Sequence, residues 1–209
     1  MNEHFERLLQ RAEQLITRIE AVLPQPMTAP DWSAAVAWRY RKRSSGHGAL
    51  EPVRQVGAMR LSDLQEIDGQ KEKIQRNTLQ FVQGLPSNNV LLTGARGTGK
   101  SSLVRACLNE YSPQGLRLIE VDKSDLVDLP DIMEVVTGRP ERFIVFCDDL
   151  SFEDGEPGYK ALKSILDGSV TAASPNVLIY ATSNRRHLLP EYMKENLSYT
   201  HTADGEVHP

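Results

Sequence analysis

Val90 to Ser102 read VLLTGARGTGKSS: a short apolar run, then three glycines within six positions, then a lysine beside two serines. A chain that only had to turn would need one glycine at most. Gly94 to Ser101, GARGTGKS, fits G-x-x-x-x-G-K-[ST], the pattern of a loop that wraps phosphate between a strand and a helix. Gly94, Gly97 and Gly99, with Ala95, Arg96 and Thr98 between them, let successive backbone N–H groups curl round an anion without obstruction. The helix that follows, with Ser102 in its first turn, presents its positive dipole end. Lys100 supplies a point charge for the β- and γ-phosphates, and Ser101 a hydroxyl ligand for Mg²⁺. A glycine-rich turn that holds nothing is the plainer alternative. The fixed positions coincide by chance only on the order of once in a hundred chains of this length.

The text around this loop alternates short apolar runs with helical patterns. Helices are expected over 69–83, 99–111, 129–137 and 157–166, and strands over 89–93, 116–121, 143–147 and 176–183. Such alternation predicts an α/β fold, a parallel sheet covered by helices on both faces in three layers. Ahead of it, residues 1–60 read as a mainly helical N-terminal extension to a nucleotide-binding domain over 61–209. Its first part is an amphipathic helix, in which Phe5, Leu8, Leu9, Ala12, Leu15, Ile16, Ile19, Val22 and Leu23 recur at steps of three and four. That stripe packs on its own domain, on a partner or on a second copy. After PQPMTAP, residues 31–60 have room for one short helix before a Gly/Ser loop.

Net charge is −4, which does not favour nucleic acid or an anionic membrane overall. Cys107 and Cys147 sit in apolar patterns, as small buried hydrophobes of a reducing compartment do. With no apolar run long enough to span a bilayer and no signal-like N-terminus, the expectation is a cytoplasmic protein. WRYRKR (Trp38 to Arg43) interleaves aromatic and basic residues as single-strand binders do, although the same text suits a packed element with wet charges. Nucleic acid as a partner has no other support. His47, Tyr180 and His187 show no metal-ligand spacing.

A second acidic element belongs beside the loop. FIVFCDDL brings Asp148 and Asp149 out at the end of an apolar strand, where ligands gather in open α/β sheets. Asp148 then holds Mg²⁺, and Asp149 orients or deprotonates a water. An acidic turn or helix cap is the bland alternative. Asn184, which follows another apolar strand, suits by itself a cap of the next helix. Arg185 and Arg186 read as a nucleotide or neighbour contact, or as solvated charge.

Taken in order, these stretches resemble the AAA+ ATPases, and within them a bacterial family of P-loop ATPases known as a domain of unknown function. LSDLQEIDGQ (61–70) is similar to the adenine-wrapping segment, GARGTGKS to Walker A, FIVFCDDL to Walker B, and IYATSNRRHL (179–188) to the strand ending in the sensor-1 asparagine. DDLSFE and ATSNRRHLLPEY carry the narrower resemblance. It implies ATP or ADP with Mg²⁺ as cofactors, adenine contact at Ile67 and Gly69, Asn184 as sensor, a homo-oligomer, and coupling of hydrolysis to motion of a protein or nucleic-acid client. Two departures stand out. Asp149 occupies the usual Walker B glutamate position, one methylene short, with Glu153 as an alternative water-orienting group. The chain also ends before the arginine-finger region and lid that the resemblance implies, so a truncated chain is expected. A nucleotide-set binding switch with little hydrolysis, or less plausibly a P-loop kinase, are the competing functions.

Overall fold

The computed structural model describes residues 2–22, 27–42, 48–153, 155–166, 174–185, 188, 200–201 and 207–208. Among the described residues, five α-helices run over Asn2–Val22 (α1), Asp68–Val82 (α2), Lys100–Tyr111 (α3), Leu129–Val136 (α4) and Pro157–Leu166 (α5). The main-sheet strands are β1 (Ala37–Lys42), β2 (Gly48–Pro52), β3 (Val90–Thr93), β4 (Leu116–Glu120), β5 (Arg142–Cys147) and β6 (Val177–Ser183), and a short antiparallel pair joins Thr200–His201 to Val207–His208. The sheet order is β2-β1-β4-β5-β6-β3, parallel except for the β1–β2 pairing.

Side-chain alternation along the central strands divides the core into two layers. Phe143, Val145 and Cys147 of β5 and Val177, Ile179 and Ala181 of β6 pack with Ile132 and Val136 of α4 and Leu162 of α5. Ile144, Phe146, Leu178 and Tyr180 point the other way, onto Ile74 and Phe81 of α2 and Leu103, Val104 and Cys107 of α3. β6 is buried along its whole length, as a strand covered on both faces must be. The three-layer α/β fold expected from the alternating text is thus the fold of the chain.

Residues 31–60 depart from expectation, because no helix forms in their described part. AWRYRK has period two, and β1 extends the sheet by pairing in parallel with β4. Trp38 and Tyr40 are buried on one face, with Trp32 edge-on to both Trp38 and Phe143 at centroid distances of 4.7 Å. Two of the charges in this stretch are paired: Arg39 with Glu120 at 2.8 Å and Lys42 with Asp128 at 2.9 Å, while Tyr40 donates its hydroxyl to Asp128 at 3.1 Å. The aromatics of WRYRKR are therefore core, out of reach of a stacked base.

A polar knot beneath the sheet fixes where β3 begins. Asn77 on α2 accepts from the Asn88 backbone N–H at 2.9 Å and donates to the Asn88 carbonyl at 2.8 Å and to the Tyr180 hydroxyl at 3.0 Å. Asn89 accepts the Ile179 backbone N–H at 2.8 Å. These bonds set the register of β3 against β6 and so the height at which the following loop leaves the sheet.

Burial pushes both thiols, Cys107 and Cys147, up to about 12. Neither presents a thiolate to solvent at neutral pH. Titration of the native chain with a thiol-specific chromogenic disulfide is expected to find no reactive cysteine within minutes, and both after unfolding in guanidinium. Rapid labelling of the native chain would contradict this packing.

Candidate functional site

β3, β5 and β6 end side by side, and their C-terminal ends carry the glycine loop, the two aspartates and Asn184. The loop begins at Gly94, whose N–H donates to the Ser183 carbonyl at 3.2 Å, tying it to the end of β6. Gly97 and Gly99 have φ of +83° and +81°, left-handed values that a Cβ would strain, although no neighbouring atom crowds either position closely. Backbone conformation, more than lack of space, is what glycine answers here. Gly99 caps α3 and accepts from the Leu103 N–H at 2.8 Å, which directs the free N–H groups of the first helical turn toward the loop.

Lys100 folds back across the loop. Its ammonium donates to the Gly94 carbonyl at 2.8 Å, to the Ala95 carbonyl at 2.7 Å and to the Asn184 side-chain oxygen at 3.0 Å. Asn184 in turn donates through its amide nitrogen to Asp149. Arg96 approaches the other Asp149 oxygen at 3.5 Å. One asparagine therefore links the cation of the loop to the second carboxylate.

The first carboxylate is held differently. Asp148 Oδ1 accepts from the Ser101 hydroxyl at 2.6 Å and from the Thr182 hydroxyl at 2.5 Å. Thr182 Oγ1 also accepts the Asp149 backbone N–H at 2.8 Å. That buried hydroxyl locks the strand end bearing both acids, and Asp149 itself sits at φ +54°, unusual for a residue with a Cβ. Such local strain gathers where structure over-determines a functional position.

These groups line one open cleft of about 340 Å³ formed by Arg96 to Ser102, Asp148, Asp149, Thr182 and Asn184. A second cavity of about 320 Å³ adjoins it on the α2 side, between Ile67, Gln70, Leu92 and the same loop. Ile67 thus lines a cavity beside the loop, whereas Gly69, in the first turn of α2, does not. Ala95 contributes its carbonyl to Lys100 and does not line the cleft. Glu153 is not brought to the aspartates. Its carboxylate faces Arg185 at 3.5 Å, outside the cleft lining. Arg186, His187 and His47 lie outside the described residues.

Thr182 and Gln70 were not singled out from the sequence. For Thr182 a signal existed: a hydroxyl two residues before Asn184 on a strand that must neighbour the acidic one. Only the register of β5 against β6 gives it meaning.

The donor set suits a hard cation. Ser101 and Asp148 offer hydroxyl and carboxylate oxygens already in contact. Among the described residues no cluster of three or more His, Cys, Asp or Glu could cage a metal. One or two protein oxygens beside a phosphate loop is the arrangement Mg²⁺ accepts, since it retains water and takes phosphate oxygens.

The family described as "Protein of unknown function (DUF815)" matches residues 33–209. The chain belongs to this family. Its matched region starts just before β1, so it takes in the hairpin as well as the loop and the acids. No curated protein matches. Among solved structures, a DNA replication initiation factor is similar at 18% identity and TM-score 0.45, over 61% of this chain and 42% of that one. AMPPCP-bound DnaA from Aquifex aeolicus is similar at 16% identity and TM-score 0.47, over 68% of this chain and 48% of that one. The chain spans less than half the length of either structure. Both likenesses are too distant to carry a residue role or an activity across. No helix among the described residues is long and apolar enough to cross a membrane.

Proposed function

We propose that this chain is the core of an Mg·ATP-binding ATPase that couples nucleotide turnover to conformational change, acting as a homo-oligomer on a protein client. The observation that carries the reading is the convergence of Lys100, Ser101, Asp148, Asp149 and Asn184, from three separate strand ends, on one cleft. The N–H groups of the loop and of the first turn of α3 bind the phosphates, and Lys100 turns from the Gly94 and Ala95 carbonyls to the β- and γ-oxygens. Ser101 and Asp148 hold Mg²⁺, with Thr182 keeping the carboxylate aimed. An ion held there would supply charge neutralisation for the phosphoryl oxygens. Ile67 and Gln70 flank the base.

Asp149 receives the proton of the attacking water or orients it, and Asn184, bonded to both Lys100 and Asp149, reports whether a γ-phosphate is present. Asp149 is the better base than Glu153, since it lines the cleft and Glu153 does not. Asp149→Asn is expected to lower steady-state hydrolysis by about 10²- to 10⁴-fold, the usual contribution of a positioned base, with nucleotide affinity nearly unchanged. Glu153→Gln should leave turnover within a few-fold of the parent. Equal turnover in Asp149→Asn would remove Asp149 from the base role, and negligible turnover in the parent itself, with Mg·ATP still bound, would replace the enzyme reading with that of a nucleotide-set binding switch. Phosphate transfer to an added acceptor instead of water would favour a kinase.

A further inference from the structure

The described part of α1's apolar stripe lies in solvent. Phe5, Leu8, Leu9, Leu15 and Ile16 are each at least half exposed, Phe5 at 63%. A solitary helix of this length draws its stability mainly from packing an amphipathic face, and this face is open. The stripe repeats in alternating steps of three and four, at Phe5, Leu8, Ala12 and Leu15 and onward in the sequence at Ile19 and Val22, with Leu9, Ile16 and Leu23 widening one side. That is the heptad seam of a helix that pairs with another helix.

The edges of the stripe say which helix. At 100° per residue, Arg11 and Arg18 border the side nearest Leu8 and Leu15, while Glu6 and Glu13, followed in the sequence by Glu20, border the side nearest Leu9 and Ile16. Gln10, Gln14 and Thr17 occupy the back. One flank is basic and the other acidic. When two such helices face each other about a two-fold axis parallel to them, the basic flank of each meets the acidic flank of the other. About an axis perpendicular to the helices, arginine meets arginine and glutamate meets glutamate. The charge pattern is therefore self-complementary in the parallel arrangement and self-repelling in the antiparallel one.

We infer that two copies of this chain associate through α1 as a parallel, in-register pair, with Arg11 and Arg18 of each helix set against the glutamate edge of the other. This contact lies apart from the nucleotide cleft and needs no nucleotide. It joins copies two by two at their N-terminal ends.

Sedimentation equilibrium of the full chain without nucleotide tests it. The parent is expected to be a dimer, and Leu8→Glu/Leu15→Glu, which places carboxylates in the seam, to associate at least about a hundredfold more weakly. Retention of Mg·ATP binding and of the parent melting profile by that variant shows that the fold is intact. Orientation is read by Leu8→Cys, which under mild oxidation should cross-link to itself in high yield; the native thiols are buried and do not compete. Arg11→Glu/Arg18→Glu should weaken the dimer, and addition of Glu6→Arg/Glu13→Arg should restore it. A monomeric parent, a mass unchanged by Leu8→Glu/Leu15→Glu, or Leu8→Cys cross-linking only to an Ile16→Cys partner would each overturn the proposal.

Discussion

Lys100→Ala is expected to weaken Mg·ATP binding by about 10- to 150-fold, the equivalent of the ~1.5–3 kcal/mol that a hydrogen bond to a charged group contributes. In this chain the ammonium already bridges the Gly94 and Ala95 carbonyls and Asn184, so it sits at the centre of the loop and exchanges neutral partners for anionic ones when phosphate arrives. The substitution removes no core packing, because the lysine lies in the open cleft. Stability without nucleotide should therefore be unaltered, while nucleotide-induced stabilisation falls. At a ligand concentration a hundred times the dissociation constant, the parent gains about 2.7 kcal/mol, of which the variant forfeits about 1.3–2.4 kcal/mol under the same conditions. Calorimetric titration and thermal melts with and without Mg·ATP read both quantities. Equal affinity in variant and parent would mean that phosphate does not occupy this loop.

Trp38→Ala should destabilise the whole chain by about 3–5 kcal/mol, the usual cost of deleting a buried aromatic. For a domain of this size that corresponds to a melting temperature roughly 6–20 °C lower. Trp38 is fully buried and stacks edge-on against Trp32, and Trp32 in turn rests on Phe143 of the acid-bearing strand. Loss of the indole is therefore transmitted to β5. The indole N–H groups of Trp32 and Trp38 have no hydrogen-bond partner, so the loss is one of packing and not of polar bonding. Trp38→Phe, which keeps most of the ring, should cost much less. Urea unfolding followed by far-ultraviolet dichroism measures the difference. A Trp38→Ala chain as stable as the parent would show that β1 and β2 hang from the sheet without supporting it.

These two residues mark different degrees of legibility. Lys100 stood out because phosphate binding imposes its demands within a few consecutive residues, and chain order alone satisfies them. Asp148 and Asp149 were nearly as plain, since an apolar strand that ends in acids announces both its burial and its open end. The hairpin at 37–52 was harder: five or six residues per strand leave little period to count, and aromatic-basic alternation has the same appearance on a sheet as in a nucleic-acid binder. Glu153 shows the limit from the other side, being close to Asp149 in the chain and yet turned to Arg185 in the fold.

By itself, then, the sequence determined the glycine-rich strand-to-helix loop, the acidic strand end, the alternation that makes a parallel sheet, and the apolar stripe of α1. All of these arise from local spacing, where side-chain period and backbone freedom are properties of neighbouring residues. The tertiary structure decided that Thr182, 34 residues from Asp148, anchors that carboxylate, and that β1 joins β4. It also decided that Asn184 links Lys100 to Asp149. Such matters depend on strand order and register, which place distant residues at one sheet end and which no run of adjacent residues encodes.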